Sequence, residues 1–117
     1  MLVYSIALLA LAAVFGIYMI FRVFGGTLPP AGAAVAHGLF AATGLVILLY
    51  AAFLTETPQP QSVIIAAVLL LVAALGGFVL ASFHLRKQVP PKPLAGLHAL
   101  LAVAGFGTLA LAAFGVI

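Results

Sequence analysis

Long apolar runs separated by short breaks dominate the chain. A helix needs roughly 20 mostly apolar residues to cross a bilayer, whereas the strands of a membrane barrel would be shorter and would alternate apolar with polar positions. Four runs meet the helical requirement. The pattern predicts four transmembrane helices, at approximately Leu2–Phe24, Ala31–Leu54, Ser62–His84 and Leu94–Ile117.

The breaks between these runs are short and contain glycine or proline. They cover residues 25–30, 55–61 and 85–93. Short connections make consecutive helices antiparallel neighbours. We therefore predict an all-α fold, a transmembrane four-helix bundle with up-down-up-down topology in a single domain, residues 1–117. The first run lacks the basic start and the small-residue cleavage site of a signal peptide, so we expect it to be retained.

Composition favours lipid as the surrounding medium. Hydrophobic residues make up 68% of the chain and charged residues 4%, against roughly 25% charged residues in soluble domains. The bilayer is therefore the expected partner. No basic patch with interleaved aromatic residues indicates nucleic acid. The absence of cysteine excludes disulfides, thiolate catalysis and cysteine-ligated metals.

The few charged residues predict an orientation. The single acid, Glu56, lies in the second break, and all basic residues lie beside the first and third. The positive-inside rule then places loops one and three in the cytoplasm and both termini outside. A bacterial inner membrane is the simplest host. The basic residues are Arg22, Arg86, Lys87 and Lys92.

The chain matches itself when it is shifted so that His37 falls on His98, and we call this shift the repeat offset. Alanine and leucine matches mean little in this composition, but glycine, proline and histidine matches at one offset without a gap indicate two tandem two-helix repeats. The repeats cover about residues 1–56 and 62–117. The informative pairs are Gly16 with Gly77, Pro29 with Pro90, Pro30 with Pro91, His37 with His98, and Gly44 with Gly105.

His37 and His98 are the strongest candidates for chemistry. Histidine within a membrane span is rare and costs free energy unless it is paired, so it indicates function. Two such tandem units are related by an axis along the membrane normal. That axis places the two histidines opposite each other at equal depth. Positions 37, 41, 44, 48 and 51 follow a spacing of about 3.5 residues, typical of a helix face that packs inward, so we expect both histidines in the bundle interior. Without cysteines or paired carboxylates, the metal centre that suits two facing imidazoles is haem iron, here haem b, in an electron-transfer role.

Glycines and basic residues agree with this placement. Gly16 and Gly77 share the depth of the histidines, and we expect them to make room for a flat macrocycle. Gly44 and Gly105 lie two turns beyond the histidines on the same face and can open space deeper in the bundle. The expected partners of the haem propionates at the cytoplasmic surface are Arg22, Arg86, Lys87 and Lys92, with His84 as a further candidate.

These histidines and glycines resemble the plan of membrane-embedded b-type cytochromes, the cytochrome b561-like four-helix proteins in which histidines on facing helices ligate haem. The resemblance covers the whole bundle, but it includes no family-specific motif. It implies electron exchange with quinone or with other subunits of a membrane redox complex. The four ligand histidines of a two-haem protein are absent, so only one haem is expected.

Other interpretations stay open at this point. Glycine packing and interhelical histidine hydrogen bonds also occur in structural or assembly subunits of larger membrane complexes. His84 can be an interfacial residue without a special role or a proton donor at a quinone site. A small transporter fits least, because the only carboxylate lies in a loop. No nucleophile, phosphate loop or carboxylate pair indicates a stand-alone enzyme.

Overall fold

The structure is a computed structural model that describes all 117 residues and contains four α-helices and no strands. A π-helical turn, Tyr50–Leu54, extends the second helix. Each helix, the second taken with this turn, is long and apolar enough to cross a membrane. This confirms the all-α fold with four candidate spans. The helices are α1 (Leu2–Phe24), α2 (Ala31–Leu49), α3 (Gln61–Leu85) and α4 (Lys92–Ala113).

Prolines set the starts of three helices. Pro30, Pro60 and Pro91 stand immediately before α2, α3 and α4, with φ between −57° and −59°. The proline ring fixes φ near this value and removes an N–H that would lack a partner at a helix start. As a result, α3 and α4 begin slightly before their predicted starts at Ser62 and Leu94.

Three helices, α1, α3 and α4, are each closed by a residue with positive φ just beyond the helix end. The N–H of the next residue donates to a carbonyl near the end of the helix. The residues with positive φ are Gly26 (80°), Lys87 (55°) and Gly115 (75°). At Gly115 this closure ends α4 at Ala113, so the predicted end at Ile117 was about one turn too late. The backbone bonds of the three closures are Thr27 to Arg22, Gln88 to Phe83 and Val116 to Leu111.

The end of α2 is built differently. Leu54 stands at the position that matches Gly115 by the repeat offset, and its Cβ disfavours the left-handed conformation that closes α4. The chain instead widens into the π-helical turn Tyr50–Leu54. The Thr55 hydroxyl then donates a hydrogen bond to the Ala51 carbonyl at 2.9 Å, which satisfies one of the last free acceptors.

Two closely packed helix pairs make up the bundle. α1 packs along α2 and α3 along α4, with less extensive contacts between α1 and α4 and between α2 and α3. A Cβ atom added to Gly44 would lie 2.9 Å from Leu9 Cγ, and one added to Gly105 would lie 2.7 Å from Leu70 Cγ. These glycines therefore let the paired helices approach each other closely, as small residues do in membrane bundles.

At one end of the bundle, which we call the packed half, the helices are in close contact. The beginnings of α1 and α3 pack there against the ends of α2 and α4. Ser5 lies within it, and its hydroxyl donates to the Gly44 carbonyl at 2.8 Å. The apolar core of this half consists of Leu9, Leu45, Leu48, Val63, Ala66, Ala67, Leu70 and Leu109.

The other end, the hollow half, contains a central cavity of about 1180 Å³ that is partly open to the outside. Its wall includes residues from the stretches 9–23 of α1, 31–49 of α2, 70–85 of α3 and 95–107 of α4, so the cavity reaches Leu9, Leu45 and Leu70 of the packed core. Only 18 of the 117 residues are buried. Most apolar side chains therefore face outward or into the cavity, which makes the exterior compatible with contact to a lipid bilayer.

The close approach at the two glycines predicts equal sensitivity in the two pairs. Gly44→Ala and Gly105→Ala each place a methyl group within 3 Å of a leucine Cγ and 3.2 Å from the Cβ of the preceding leucine, so we expect each to lower stability by about 1–3 kcal/mol. Thermal unfolding in detergent measures this. Gly38→Ala is the control, because nothing lies within 4 Å of a Cβ atom there. Equal unfolding midpoints in all three variants would contradict the packing described.

Candidate functional site

The cavity brings His37 and His98 together. Each lies in the second turn of its helix, α2 or α4, and each lines the cavity. Their ring centres are 6.2 Å apart and the ring planes meet at 80°. The two histidines that the repeat offset pairs in the sequence are therefore neighbours in space.

Each imidazole is held by a backbone carbonyl of the neighbouring helix. His37 Nδ1 lies 2.8 Å from the Ala12 oxygen, and His98 Nδ1 lies 2.7 Å from the Ala73 oxygen. A carbonyl only accepts, so Nδ1 must donate, and the lone pair of the neutral ring is then on Nε2. Neither Nε2 makes a hydrogen bond. This is the arrangement in which protein histidines commonly ligate metals, because the Nδ1 bond fixes the tautomer and the ring orientation.

Gly16 and Gly77 make this arrangement possible. A Cβ atom at Gly16 would lie 3.1 Å from His37 Cε1, and one at Gly77 would lie 3.2 Å from His98 Cε1. Each glycine therefore lets an imidazole lie against the backbone one turn beyond the carbonyl it binds. Both glycines also line the cavity. The sequence suggested room for a macrocycle here, whereas the space beside each glycine is taken by the histidine ring.

Gly44 and Gly105 do not line the cavity. The sequence suggested that they open space deeper in the bundle, but Leu9 and Leu70 occupy the space next to them. Their spacing from the histidines correctly places them on an inward face. At these two positions, however, the neighbouring helix is in direct contact.

The basic residues expected near propionates are all exposed, and none lines the cavity. The Arg22 guanidinium carbon lies 5.9 Å from the centre of the Tyr18 ring. The Arg86 guanidinium carbon lies 4.6 Å from the centre of the Phe83 ring. The remaining two are at helix ends: Lys87 is the left-handed residue that closes α3, and Lys92 is the first residue of α4. Their pairing with propionates stays a prediction.

His84 lies at the loop end of the cavity. Its Nε2 donates to the Pro29 carbonyl at 2.9 Å, so it connects the end of α3 to the loop before α2. Val23 stands at the equivalent position in the first half of the chain. No partner of His84 was predictable from the sequence, because the acceptor is a main-chain oxygen in a distant part of the chain.

The side chains available as metal ligands limit which metal centre the cavity can hold. No group of three or more His, Cys, Asp or Glu side chains lies close enough together to hold a bare metal ion. Two imidazoles can complete a centre that brings its own equatorial donors. Two imidazoles that both bound one metal through Nε2, at metal–nitrogen distances of about 2.0–2.1 Å, would have ring centres no more than about 6 Å apart. The observed separation of 6.2 Å is close to this limit.

The size and chemistry of the cavity fit a large apolar ligand. Small-molecule pockets commonly measure about 300–1,000 Å³, and this cavity, at about 1180 Å³, is larger. Apolar side chains make up most of its wall, with His37, His84 and His98 as the ionisable groups. Protein interiors are otherwise close-packed. This partly open cavity therefore has room for such a ligand beside two imidazole nitrogens that make no hydrogen bond.

The sequence did not point to Ala12 and Ala73, because an alanine carries no functional side chain. Their one available signal is position: each stands one turn before a glycine of the matched pair, and the two alanines match each other by the repeat offset. Comparison of the chain with protein-family models, with curated proteins and with solved structures gave no match.

Proposed function

We propose that the chain is a membrane electron-transfer protein that binds one b-type haem between His37 and His98. The observation that carries the proposal is the pair of neighbouring imidazoles, 6.2 Å between ring centres, each held through Nδ1 by a carbonyl. Bound in this way, the haem supplies one-electron redox chemistry, and two histidine ligands favour electron transfer over oxygen chemistry. This plan is the one that the resemblance to cytochrome b561-like proteins suggests.

The chain's own groups have distinct roles in this proposal. His37 and His98 bind through Nε2, while the Ala12 and Ala73 carbonyls orient the rings and raise the basicity of the ligating nitrogen. The apolar wall excludes water. The electron partner is quinone or another subunit of a redox complex. At the loop end, the groups available to propionates are His84, Arg22, Arg86, Lys87 and Lys92.

We also propose that the bundle is two tandem two-helix units, about residues 1–56 and 62–117, with up-down-up-down topology. Three kinds of contact recur at the repeat offset and support this. They are the histidine–carbonyl bond, the glycine beside the histidine ring, and the glycine against a leucine. The helix contacts leave α2 and α4 at diagonal corners, where two ligands can face each other.

In this proposal the protein is integral to a bacterial inner membrane, with both termini outside. The charge distribution supports this orientation, because Arg22, Arg86, Lys87 and Lys92 lie beside loops one and three. The hollow half, with its cavity, is then the cytoplasmic half. The packed half faces the outside.

Removal of either ligand is expected to abolish haem binding. Protein purified from haem-replete cells should show the Soret band of a b-type cytochrome in reduced and oxidised spectra. His37→Ala and His98→Ala should lose it, because one imidazole cannot hold iron from both sides. His84→Ala is the matched control and should keep the band. Added imidazole should restore the band of a His98→Gly variant.

A colourless wild-type protein would contradict the haem proposal. Retention of haem when both His37 and His98 are replaced by alanine would contradict it as well. The alternative is then a structural or assembly subunit of a larger membrane complex. Its mark is co-purification with stoichiometric partner subunits from native membranes.

Gly16 and Gly77 are expected to control ligand geometry. Gly16→Val and Gly77→Val place branched side chains where the imidazoles lie, which moves each ring away from its carbonyl. Loss of such an orienting bond lowers affinity by about 10–100-fold at comparable sites. Titration of haem into the haem-free protein measures it. Gly32→Ala, at an open position in the first turn of α2, should bind haem like the wild type. Unchanged affinity in both valine variants would contradict the assigned role.

The orientation can be tested directly because the chain has no cysteine. Gln59→Cys, in loop two, is expected to react with a membrane-impermeant maleimide in intact spheroplasts. Lys87→Cys is expected to react only after the membrane is opened. The reverse pattern would invert the orientation, and equal labelling of both sites in intact spheroplasts would contradict the up-down-up-down topology.

A further inference from the structure

The two halves of the chain differ on the outer side of their histidines. In the first half, Phe15 of α1 and Phe40 of α2 stack with ring centres 6.0 Å apart and ring planes 17° from parallel. The matching positions in the second half hold Gly76 and Leu101. No aromatic pair can form there, so the matched helix pairs have unequal outer surfaces.

A groove of about 290 Å³ lies between α3 and α4 where the aromatic pair is missing. Leu75, Val79 and Leu97 form an exposed rim, while Gly76 and His98 lie within the groove. A Cβ atom on Gly76 would lie 3.8 Å from His98 Nδ1. The glycine therefore leaves the histidine reachable from outside the bundle. The only other cavity in the structure is the central one, so α1 and α2 have no counterpart to this groove.

The groove offers no polar anchor to a ligand. Its wall consists of valine, leucine and glycine apart from His98, whose Nδ1 already donates to the Ala73 carbonyl. A polar group seated there would lose its hydrogen bonds to water and gain none, which is unfavourable. The occupant must therefore be hydrocarbon, as are the two phenyl rings that fill the corresponding space in the first half.

We propose that this groove binds an acyl chain of a membrane lipid, which covers His98 from outside. The rim is continuous with the exposed apolar surface of α3 and α4, so the bilayer supplies such chains at the groove itself. The volume is close to the lower end of small-molecule sites, about 300 Å³. This inference rests on the proposed membrane placement and does not require haem.

Photolabelling tests the proposal on the full-length protein in phosphatidylcholine vesicles that contain a lipid with a diazirine in its acyl chain. Adducts are mapped by mass spectrometry. We expect adducts on His98 and on the exposed Leu100 and Leu111, which line neither the groove nor the central cavity. In a Gly76→Phe, Leu101→Phe double variant, the His98 adduct should be lost while adducts on Leu100 and Leu111 persist.

A second double variant, with the opposite substitutions in the first half of the chain, controls for misfolding of the first. Phe15→Gly combined with Phe40→Leu should open a groove in the first half and create a new adduct on His37, with the His98 adduct retained. A gain at one residue with no change at the other cannot come from general unfolding. If the first double variant does not fold, this one carries the test.

The outcomes separate the groove from the membrane placement. Adducts on Leu100 and Leu111 without one on His98 in the wild type would overturn the groove proposal alone. Absence of adducts from all four helices would overturn the membrane placement with it. Suppression of the His98 adduct by a prenylated quinone, in the presence of excess lipid, would assign the groove to the quinone and overturn the lipid assignment.

Discussion

The hydrogen bond between a histidine Nδ1 and a helix carbonyl is the interaction on which the arrangement of the site depends. A ring N–H inside an apolar bundle needs an acceptor, and leaving one unsatisfied costs about 1–3 kcal/mol. A helix carbonyl has a second lone pair to offer, and here an imidazole reaches it beside a backbone position that has no Cβ atom. Ala12 with Gly16, and Ala73 with Gly77, provide that combination.

This single bond fixes several properties together. It sets the spacing of α1 and α2 at the level of His37, and of α3 and α4 at the level of His98. It also decides the tautomer and so leaves Nε2 as the available donor to a metal. The packed half holds the helices at a fixed separation through Gly44 and Gly105, which lets the hollow half keep a cavity beside the two rings.

Part of this site could be predicted from residue types that stand out in the sequence. Histidine and glycine stand out in a chain of alanine, leucine and valine, so the pairing of His37 with His98 followed from one offset. The four helices followed from apolar length. The ends of the helices were harder to predict, because the sequence alone does not show whether Gly115 continues a helix or ends it with a positive φ.

The roles of the glycines were harder to predict for a physical reason. Periodicity gives the face on which Gly44 lies, but it does not say whether that face meets a void or another helix. The answer depends on Leu9 and Leu8, which belong to a different helix. The acceptors on Ala12 and Ala73 were similarly hidden, since a main-chain oxygen leaves no mark on the residue type.

The groove could not be predicted by matching the chain to itself, because such a match identifies residues that the two halves share, and the groove lies where they differ. The Nδ1–carbonyl distances of the two histidines agree closely, at 2.8 and 2.7 Å, because each ring binds an alanine carbonyl of the neighbouring helix beside a matched glycine. The outer sides of the histidines are not matched in this way. Phe15 and Phe40 close one side, while Gly76 and Leu101 leave the other open. Differences between the matched halves thus indicate where two helix pairs with the same histidine contacts have different outer surfaces.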